Sequence, residues 1–147
     1  MFNWLFNGWL IPALVGSICA SLVAIFTKLG ITNVSASLAG TIKAIITAVF
    51  FILFSFFYKD FKELPSLFAH RKDLIFLVLT GVFGGLSWFF MNIALKNTDA
   101  VKVVPIDKLS IAITVVLAVI FLKEHITIKI IIGVILMTIG AILVSLK

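Results

Sequence analysis

The stretch that decides the fold of this chain covers residues 100–127 and reads AVKVVPIDKLSIAITVVLAVIFLKEHIT. It is long and apolar enough to cross a membrane, since about 20 apolar residues span a bilayer. Its first third nevertheless contains Pro105 and three charged residues, Lys102, Asp107 and Lys108. A charged side chain costs about 2.5–3.5 kcal/mol at the centre of a membrane helix on insertion scales. We therefore expect some of these residues to serve binding, pairing or bending.

The composition of the whole chain predicts a membrane protein. Of its 147 residues, 63% are hydrophobic and 12% are charged, whereas an average soluble domain is about a quarter charged and just under half apolar. The net charge of +6 comes from basic residues scattered over connecting segments, where they interact with lipid head groups and set orientation. The sequence has no basic stripe and no nucleic-acid-binding motif, so we expect the lipid bilayer and not nucleic acid as its surroundings.

Five apolar segments are long enough to span the bilayer. We predict an all-α membrane domain over residues 1–147 with helices at about 9–28, 34–58, 74–95, 100–122 and 127–146. Lipid requires helices here because every backbone polar group needs a partner within the segment. The longest connection is predicted at residues 59–73. The first segment resembles a signal peptide in its small residues, but it lacks a basic start and is long, so we predict a retained helix.

Polar residues within the second and third segments are candidates for substrate binding or ion coupling. Lys43 either snorkels toward the interface or faces a cavity, and both readings stay open. Trp88 and Asn92 share one face of the third helix. Trp88 is too deep for a simple interfacial anchor, so it forms either a pocket wall or part of the core.

The fourth segment supplies the remaining candidates of this kind. Asp107, Ser110 and Thr114 recur at spacings of three and four and predict one polar stripe, whereas Lys108 lies about 100° away. Pro105 predicts a bend, because proline removes a backbone donor. Asp107 could pair with a lysine, carry a proton, or with Lys108 simply mark the polar end of the helix.

Two pairs of glycines are candidates for helix packing or for a dimer contact. Gly81 and Gly85 form a GxxxG pair, and Gly133 and Gly140 lie on nearly one face of the fifth helix. Small residues of this kind let helix backbones approach closely in membranes. The partner surface could belong to the same chain or to another.

The sequence gives no indication of an enzyme. His70 has no second histidine or cysteine at metal-binding spacing, and Cys19 is the single cysteine. Glu124 and His125 are adjacent, so on a helix they point in different directions. We therefore predict no catalytic residue, no metal site and no cofactor.

The basic residues also predict an orientation. Six fall on the side of the N-terminus in the predicted topology and three or four on the other side. The positive-inside rule then places the N-terminus inside and the C-terminus outside. The bias is small enough to permit dual topology.

One long segment carries a family resemblance. Residues 94–144 resemble the C-terminal half of an EamA-type repeat of the drug/metabolite transporter superfamily. The matching features, in order, are an Ala-Leu ending the third helix, V-V-P-x-x-K-L at Val103–Leu109, F-L-x-E at Phe121–Glu124, and the glycines Gly133 and Gly140.

The resemblance implies a single five-helix repeat, which is one half of a ten-helix inverted-repeat transporter fold. It implies a transporter or exporter of a small metabolite that works by alternating access in the cytoplasmic membrane of a prokaryote. A lone repeat would need a partner, either as a homodimer, which could be antiparallel, or as a heterodimer with a paralogue. The alternative is a non-transporting subunit of a lipid-linked-sugar flippase or of another complex.

Overall fold

The computed structural model describes residues 8–146, and every regular element among them is helical. The α-helices are α1 (Leu10–Gly30), α2 (Ala36–Tyr58), α3 (Leu64–Ala69), α4 (Arg71–Asn97), α5 (Ala100–Asp107), α6 (Ser110–Leu117) and α7 (Ile128–Ser145). Within the described residues, five helical segments are long and apolar enough to cross a membrane. The all-α fold with five spans is therefore confirmed. The predicted single domain over residues 1–147 stays a prediction, and residues 1–7 and 147 lie outside the described part.

Contacts divide the chain into two compact units, and the unit Gly30–Lys96 holds α2, α3 and α4. Ser35 caps the start of α2, because its side-chain oxygen accepts a hydrogen bond from the Leu38 N–H at 3.1 Å. Lys59 ends the helix in a left-handed conformation with φ 62°. Between these ends α2 is apolar apart from a few small polar residues and Lys43, so burial in lipid is its natural environment.

The connection between α2 and α4, predicted at residues 59–73 without assigned structure, contains helical turns. A 3-10 turn at Asp60–Glu63 leads into α3, and α4 begins at Arg71, three residues before the predicted start. Pro65 lies in the first turn of α3, where a missing N–H costs no hydrogen bond. Asp73 lies in the first turn of α4, where its charge complements the helix dipole.

The other unit contains α1, α5, α6 and α7. Its buried apolar side chains include Val103 of α5 and Ala141 of α7. The Ser145 hydroxyl contacts the carbonyl oxygens of Ala141 at 2.7 Å and Lys102 at 3.3 Å, which joins α7 to α5. At the end of α1, the Lys28 ammonium donates to the Thr98 carbonyl at 2.8 Å. The unit is therefore held by small-residue packing and by side-chain bonds to backbone carbonyls.

The fourth span, predicted as a helix over residues 100–122 with a bend at Pro105, is interrupted. It consists of α5, a turn at Lys108–Leu109, α6 and a π-helical turn at Ala118–Leu122. The N–H of Lys108 bonds to the Pro105 carbonyl and that of Leu109 to the Ile106 carbonyl, both at 3.0 Å. These are the tighter bonds of a 3-10 turn. The interruption thus falls three residues after Pro105 and directly after Asp107.

The described residues bury few large side chains. Ile31, Leu95 and Asn92 are the largest that are fully buried, while most leucine, isoleucine and phenylalanine side chains are exposed. An exposed apolar exterior of this extent marks a membrane or protein contact surface. The interior is therefore built from a small number of contacts, and some of them are polar.

Candidate functional site

Asn92 of α4 is the centre of a polar contact between α2 and α4. Its side chain is completely buried, with an exposed fraction of 0%. Its Nδ2 donates to the Ala36 carbonyl at 3.2 Å, and its Oδ1 accepts from the Lys43 ammonium at 3.2 Å. A buried amide needs such partners, since an unpaired polar group in a dry interior is costly. Asn92 therefore ties the first turn of α2 and a lysine one to two turns later to the same point of α4.

The Lys43 ammonium lies against α4. In addition to its bond with Asn92, it lies over the Trp88 ring, 5.6 Å from the ring centroid. This distance is within the range of a cation–π interaction. Lys43 is seven residues beyond the first residue of α2, which is about 10 Å along the helix. Both roles that the sequence left open for Lys43, snorkelling toward the interface and facing a cavity, stay predictions.

Gly40 belongs to this site, although sequence analysis did not include it among the candidates. A Cβ atom built on Gly40 would lie 3.3 Å from Asn92 Nδ2, which is tighter than an ordinary van der Waals contact. The small residue lets α2 approach the fixed amide of Asn92. The signal in the sequence was the spacing of three residues between Gly40 and Lys43, which places both on one side of α2.

A groove of about 260 Å³ lies beside the Asn92 contact. It is lined by small residues of α2 and by three residues of α4, namely Ser37, Gly40, Thr41, Ala44, Gly85, Trp88 and Phe89. Trp88 therefore forms part of the groove wall and also lies beneath the Lys43 ammonium. Small-molecule sites usually measure about 300–1,000 Å³, so this groove suits part of a small metabolite.

Asp107 and Lys108 form a different kind of polar feature at the end of α5. Their charged atoms, Oδ2 and Nζ, are 3.4 Å apart, and the side chains are 40% and 49% exposed. A strong charge-assisted hydrogen bond between such groups is about 2.7–2.9 Å long. The pairing of Asp107 with a lysine, one of the predicted alternatives, is therefore present but weak.

The other predicted residues of the fourth span surround the turn at Lys108–Leu109. Pro105 lies inside α5 and is partly buried, whereas Ser110 and Thr114 lie on α6 and are exposed. The turn separates Asp107 from these two hydroxyls, so the predicted stripe crosses a helix interruption. All of its members remain accessible from outside the chain.

The glycine pairs have space around them where a side chain would lie. A Cβ built on Gly81, Gly85, Gly133 or Gly140 would meet no atom beyond its own local helix within 4 Å. These positions are open to lipid or to another protein. Their predicted role in helix packing or in a dimer contact stays a prediction.

A second pocket of about 440 Å³ lies at the connection between α2 and α4. Its polar lining includes Asp60, Glu63, His70 and Asp73, and all four residues are exposed. His70 Nδ1 lies 2.8 Å from the Ser66 carbonyl, so the ring is engaged locally. In the described part of the chain, no group of His, Cys, Asp or Glu side chains could hold a metal ion.

Comparison with known proteins agrees with the membrane fold. The model of the EamA-like transporter family matches residues 7–146. The chain belongs to the EamA-like transporter family. The family supports a multi-pass membrane transporter and points away from an enzyme, and its domain is one half of a ten-helix repeat fold.

Two relatives of this EamA-like chain come from prokaryotes. A Sinorhizobium protein named "Uncharacterized transporter in cobO 3'region" is 29% identical over 142 residues, which cover 95% of this chain and 97% of the relative. An uncharacterized protein of Methanocaldococcus jannaschii is 35% identical over 77 residues, or 52% of this chain and 56% of the relative. No solved structure matches the chain.

Proposed function

We propose that this EamA-like chain transports a small anionic or zwitterionic metabolite, and that two chains act together by alternating access. The observation that carries this proposal is the Lys43 ammonium, held by buried Asn92 at 3.2 Å beside a groove walled by Trp88. Membership of a transporter family indicates the general activity, and the positive charge of the site indicates the class of substrate.

The free-energy cost of a lysine within a span supports an anionic group on the substrate. An ammonium within a span costs about 2.5–3.5 kcal/mol, and a neutral side chain could fill the same space between two helices. Asn92 is neutral, so its hydrogen bond positions the ammonium without cancelling the charge. In surroundings of low dielectric constant, a positive charge attracts a carboxylate much more strongly than it would in water.

The size of one repeat supports two chains acting together. A single chain supplies five spans, whereas the family fold contains ten. Inverted repeats of transporters enclose their substrate near the bilayer midplane, between the two halves. A second chain, either identical or a paralogue, would enlarge the groove and cover the open glycine faces. We place this assembly in the cytoplasmic membrane of a prokaryote, with the N-terminus inside.

The experiment is solute uptake by the purified chain in proteoliposomes. Radiolabelled amino acids, monocarboxylates and dicarboxylates are tested with the parent chain, Lys43→Met, Lys43→Arg and Lys62→Met. We expect Lys43→Met to raise the KM of a transported carboxylate about tenfold, equivalent to about 1.4 kcal/mol, and Lys43→Arg to recover part of the loss. Lys62 is exposed outside the spans, so Lys62→Met serves as the charge-matched control and should stay within twofold of the parent.

The thermal midpoint of each variant in detergent separates a binding effect from misfolding. A Lys43→Met chain that is folded and transports carboxylates with the parental KM would show that the ammonium does not bind substrate. If only cationic solutes are transported, the proposed substrate class is wrong. Purification that succeeds only with a second, unrelated membrane protein would favour the alternative role as a non-transporting subunit.

A further inference from the structure

We infer that Gly85 of α4 determines the size of the solute that the groove beside Asn92 accepts, because its missing side chain leaves room for the uncharged part of that solute. This role rests on the proposed function, in which the charged part of the solute is a carboxylate attracted by Lys43. It adds a residue that decides which carboxylates are carried. It also gives one of the glycines on α4 a role other than helix packing.

Glycine is not required at position 85 by the surrounding residues that the structure describes. A Cβ built on Gly85 would meet no atom beyond its own local helix within 4 Å. The backbone of Gly85 is helical, with no positive φ, so other residues can adopt it. Glycine is nevertheless less favourable than alanine inside a helix. The empty space at this position is therefore available to a molecule from outside the chain.

The groove that Gly85 lines suits an uncharged group. None of its seven lining residues is charged, and Trp88 and Phe89 contribute aromatic surface. The hydroxyl group of Thr41 already donates to the Ser37 carbonyl of its own helix at 3.1 Å. An apolar group therefore enters this groove at a lower free-energy cost than a charged group.

Trp88 links this groove to the positive charge of Lys43. The residue lines the groove, and its ring centroid lies 5.6 Å from the Lys43 ammonium. A solute with a carboxylate at one end and an apolar chain at the other matches both features, since the ammonium attracts the carboxylate and the groove accommodates the chain. The substrate class is thereby narrowed to monocarboxylates or zwitterions with an apolar chain.

Gly85 lies near the middle of its span. It is 14 residues after the first residue of Arg71–Asn97 and 12 before the last. Solutes of inverted-repeat transporters bind near the membrane midplane, between the two halves, so the second chain of the proposed dimer would form the opposite wall. A lipid chain or a packed helix at the same face would keep water away from Gly85, whereas a solute path admits it. Access of water therefore distinguishes these occupants.

A small change at Gly85 is expected to have a large effect on the choice of solute. The groove measures about 260 Å³, which is below the usual range of about 300–1,000 Å³ for small-molecule sites. One methylene more or less in an apolar pocket changes relative kcat/KM about 10- to 200-fold. A side chain at position 85 should therefore exclude long solutes before short ones.

The first experiment measures access of water to position 85. Cys19 is the single cysteine of the chain, so Cys19→Ser provides a background in which Gly85→Cys and Gly84→Cys are compared. Gly84 is the matched control, because it is adjacent, also has no atom within 4 Å of a built Cβ and is not part of the groove lining. Both full-length variants are placed in proteoliposomes with a membrane-impermeant, sulfonated thiosulfonate reagent on both sides. We expect Gly85→Cys to react at least tenfold faster than Gly84→Cys.

The second experiment measures solute choice with straight-chain 2-oxo acids and 2-amino acids of three to six carbons. Uptake into proteoliposomes is compared for the parent, Gly85→Ala, Gly85→Leu, Gly84→Ala and Gly84→Leu. We expect Gly85→Leu to lower the ratio of kcat/KM for the longest and shortest transported acids at least tenfold, and Gly85→Ala to lower it less. The Gly84 variants should stay within twofold of the parent. Thermal midpoints identify any variant that does not fold, and Gly85→Ala keeps the test available because alanine favours the helix.

Each outcome decides between the role of Gly85 and the proposed function. Equal or slower labelling of Gly85→Cys, or equal ratios in folded Gly85 and Gly84 variants, overturns the role of Gly85, and uptake by the parent then leaves the function intact. Uptake of dicarboxylates alone also overturns the role of Gly85, because a second charged end does not suit the uncharged lining. No uptake of any tested solute by the parent refutes the proposed function, and the role of Gly85 with it.

Discussion

Two lysines within the spans, Lys43 and Lys108, occupy very different surroundings. Lys43 bonds to a buried amide on another helix and lies over an aromatic ring. Lys108 contacts its neighbour in sequence at 3.4 Å and remains about half exposed. Both carry the cost of charge in a membrane, but only Lys43 obtains a long-range partner of known position within its own unit.

The difference separates a contact that depends on tertiary packing from one that depends on neighbouring positions in the sequence. Asn92 contacts Lys43 and Ala36, which lie 49 and 56 residues before it in the sequence. The Lys43 contact therefore exists only when α2 and α4 are packed together. The Asp107–Lys108 contact requires no packing at all, since the residues are adjacent. Variants at the Lys43 site should therefore alter the stability of one chain more than variants of the adjacent pair.

The largest effect on stability is expected for Asn92→Ala. The change removes the acceptor of Lys43 and the donor to Ala36, and hydrogen bonds to charged groups contribute about 1.5–3 kcal/mol. We expect the free energy of unfolding in detergent to fall by about 2 kcal/mol, measured by denaturant titration followed by circular dichroism. Asn33→Ala removes an exposed asparagine and should change the free energy by less than about 0.5 kcal/mol. Equal stabilities of the two variants would show that Asn92 does not hold α2 to α4.

A smaller effect is expected for Gly40→Ala, compared with Gly84→Ala. Alanine improves helix propensity by about 1 kcal/mol at either position. At Gly40 the new Cβ would press on Asn92 Nδ2 at 3.3 Å, whereas at Gly84 it meets nothing within 4 Å. Asn92 is held by two hydrogen bonds and cannot move aside easily, so Gly40→Ala should be about 1 kcal/mol less stable than Gly84→Ala in the same titration. A Gly40→Ala chain as stable as Gly84→Ala would mean that Asn92 can move aside.

The smallest effect on the stability of one chain is expected for Asp107→Asn. The half-exposed pair with Lys108 resembles a surface ion pair, for which about 0–1 kcal/mol is typical. With the protein dilute enough in detergent to stay monomeric, its free energy of unfolding should change by less than about 0.5 kcal/mol. A loss as large as that of Asn92→Ala would remove the distinction between the two lysine sites.

Sequence reasoning located the spans well because lipid imposes a simple rule. The required apolar length follows from the thickness of the hydrocarbon, and the predicted starts and ends differ from those of the helices by three residues or fewer. The same rule says little about residues 59–73 outside the lipid, where Pro65 and Asp73 allowed further helical turns. It also says little about hydrogen bonding within a span, so the turn at Lys108–Leu109 was not predicted.

Sequence reasoning predicted residues of the candidate site but not which of them contact one another. Lys43, Trp88 and Asn92 stood out because each is unusual in an apolar segment, and the structure brings these three together. Gly40 was missed as a member because a glycine in an apolar helix has many possible reasons. Gly81 and Gly85 fit a well-known pattern, yet a Cβ built at either position would meet no atom within 4 Å.

The sequence by itself determined the membrane environment, the five spans and the resemblance to EamA-type transporters, because apolar length and the order of short motifs are local properties of the chain. The tertiary structure decided which polar residues meet. The meeting of Lys43 with Asn92 depends on the relative rotation and approach of α2 and α4, which the small residue Gly40 permits, and no pattern within one helix contains that information. The packing of α2 against α4 thus fixes the position of the Lys43 ammonium, which the sequence alone does not determine.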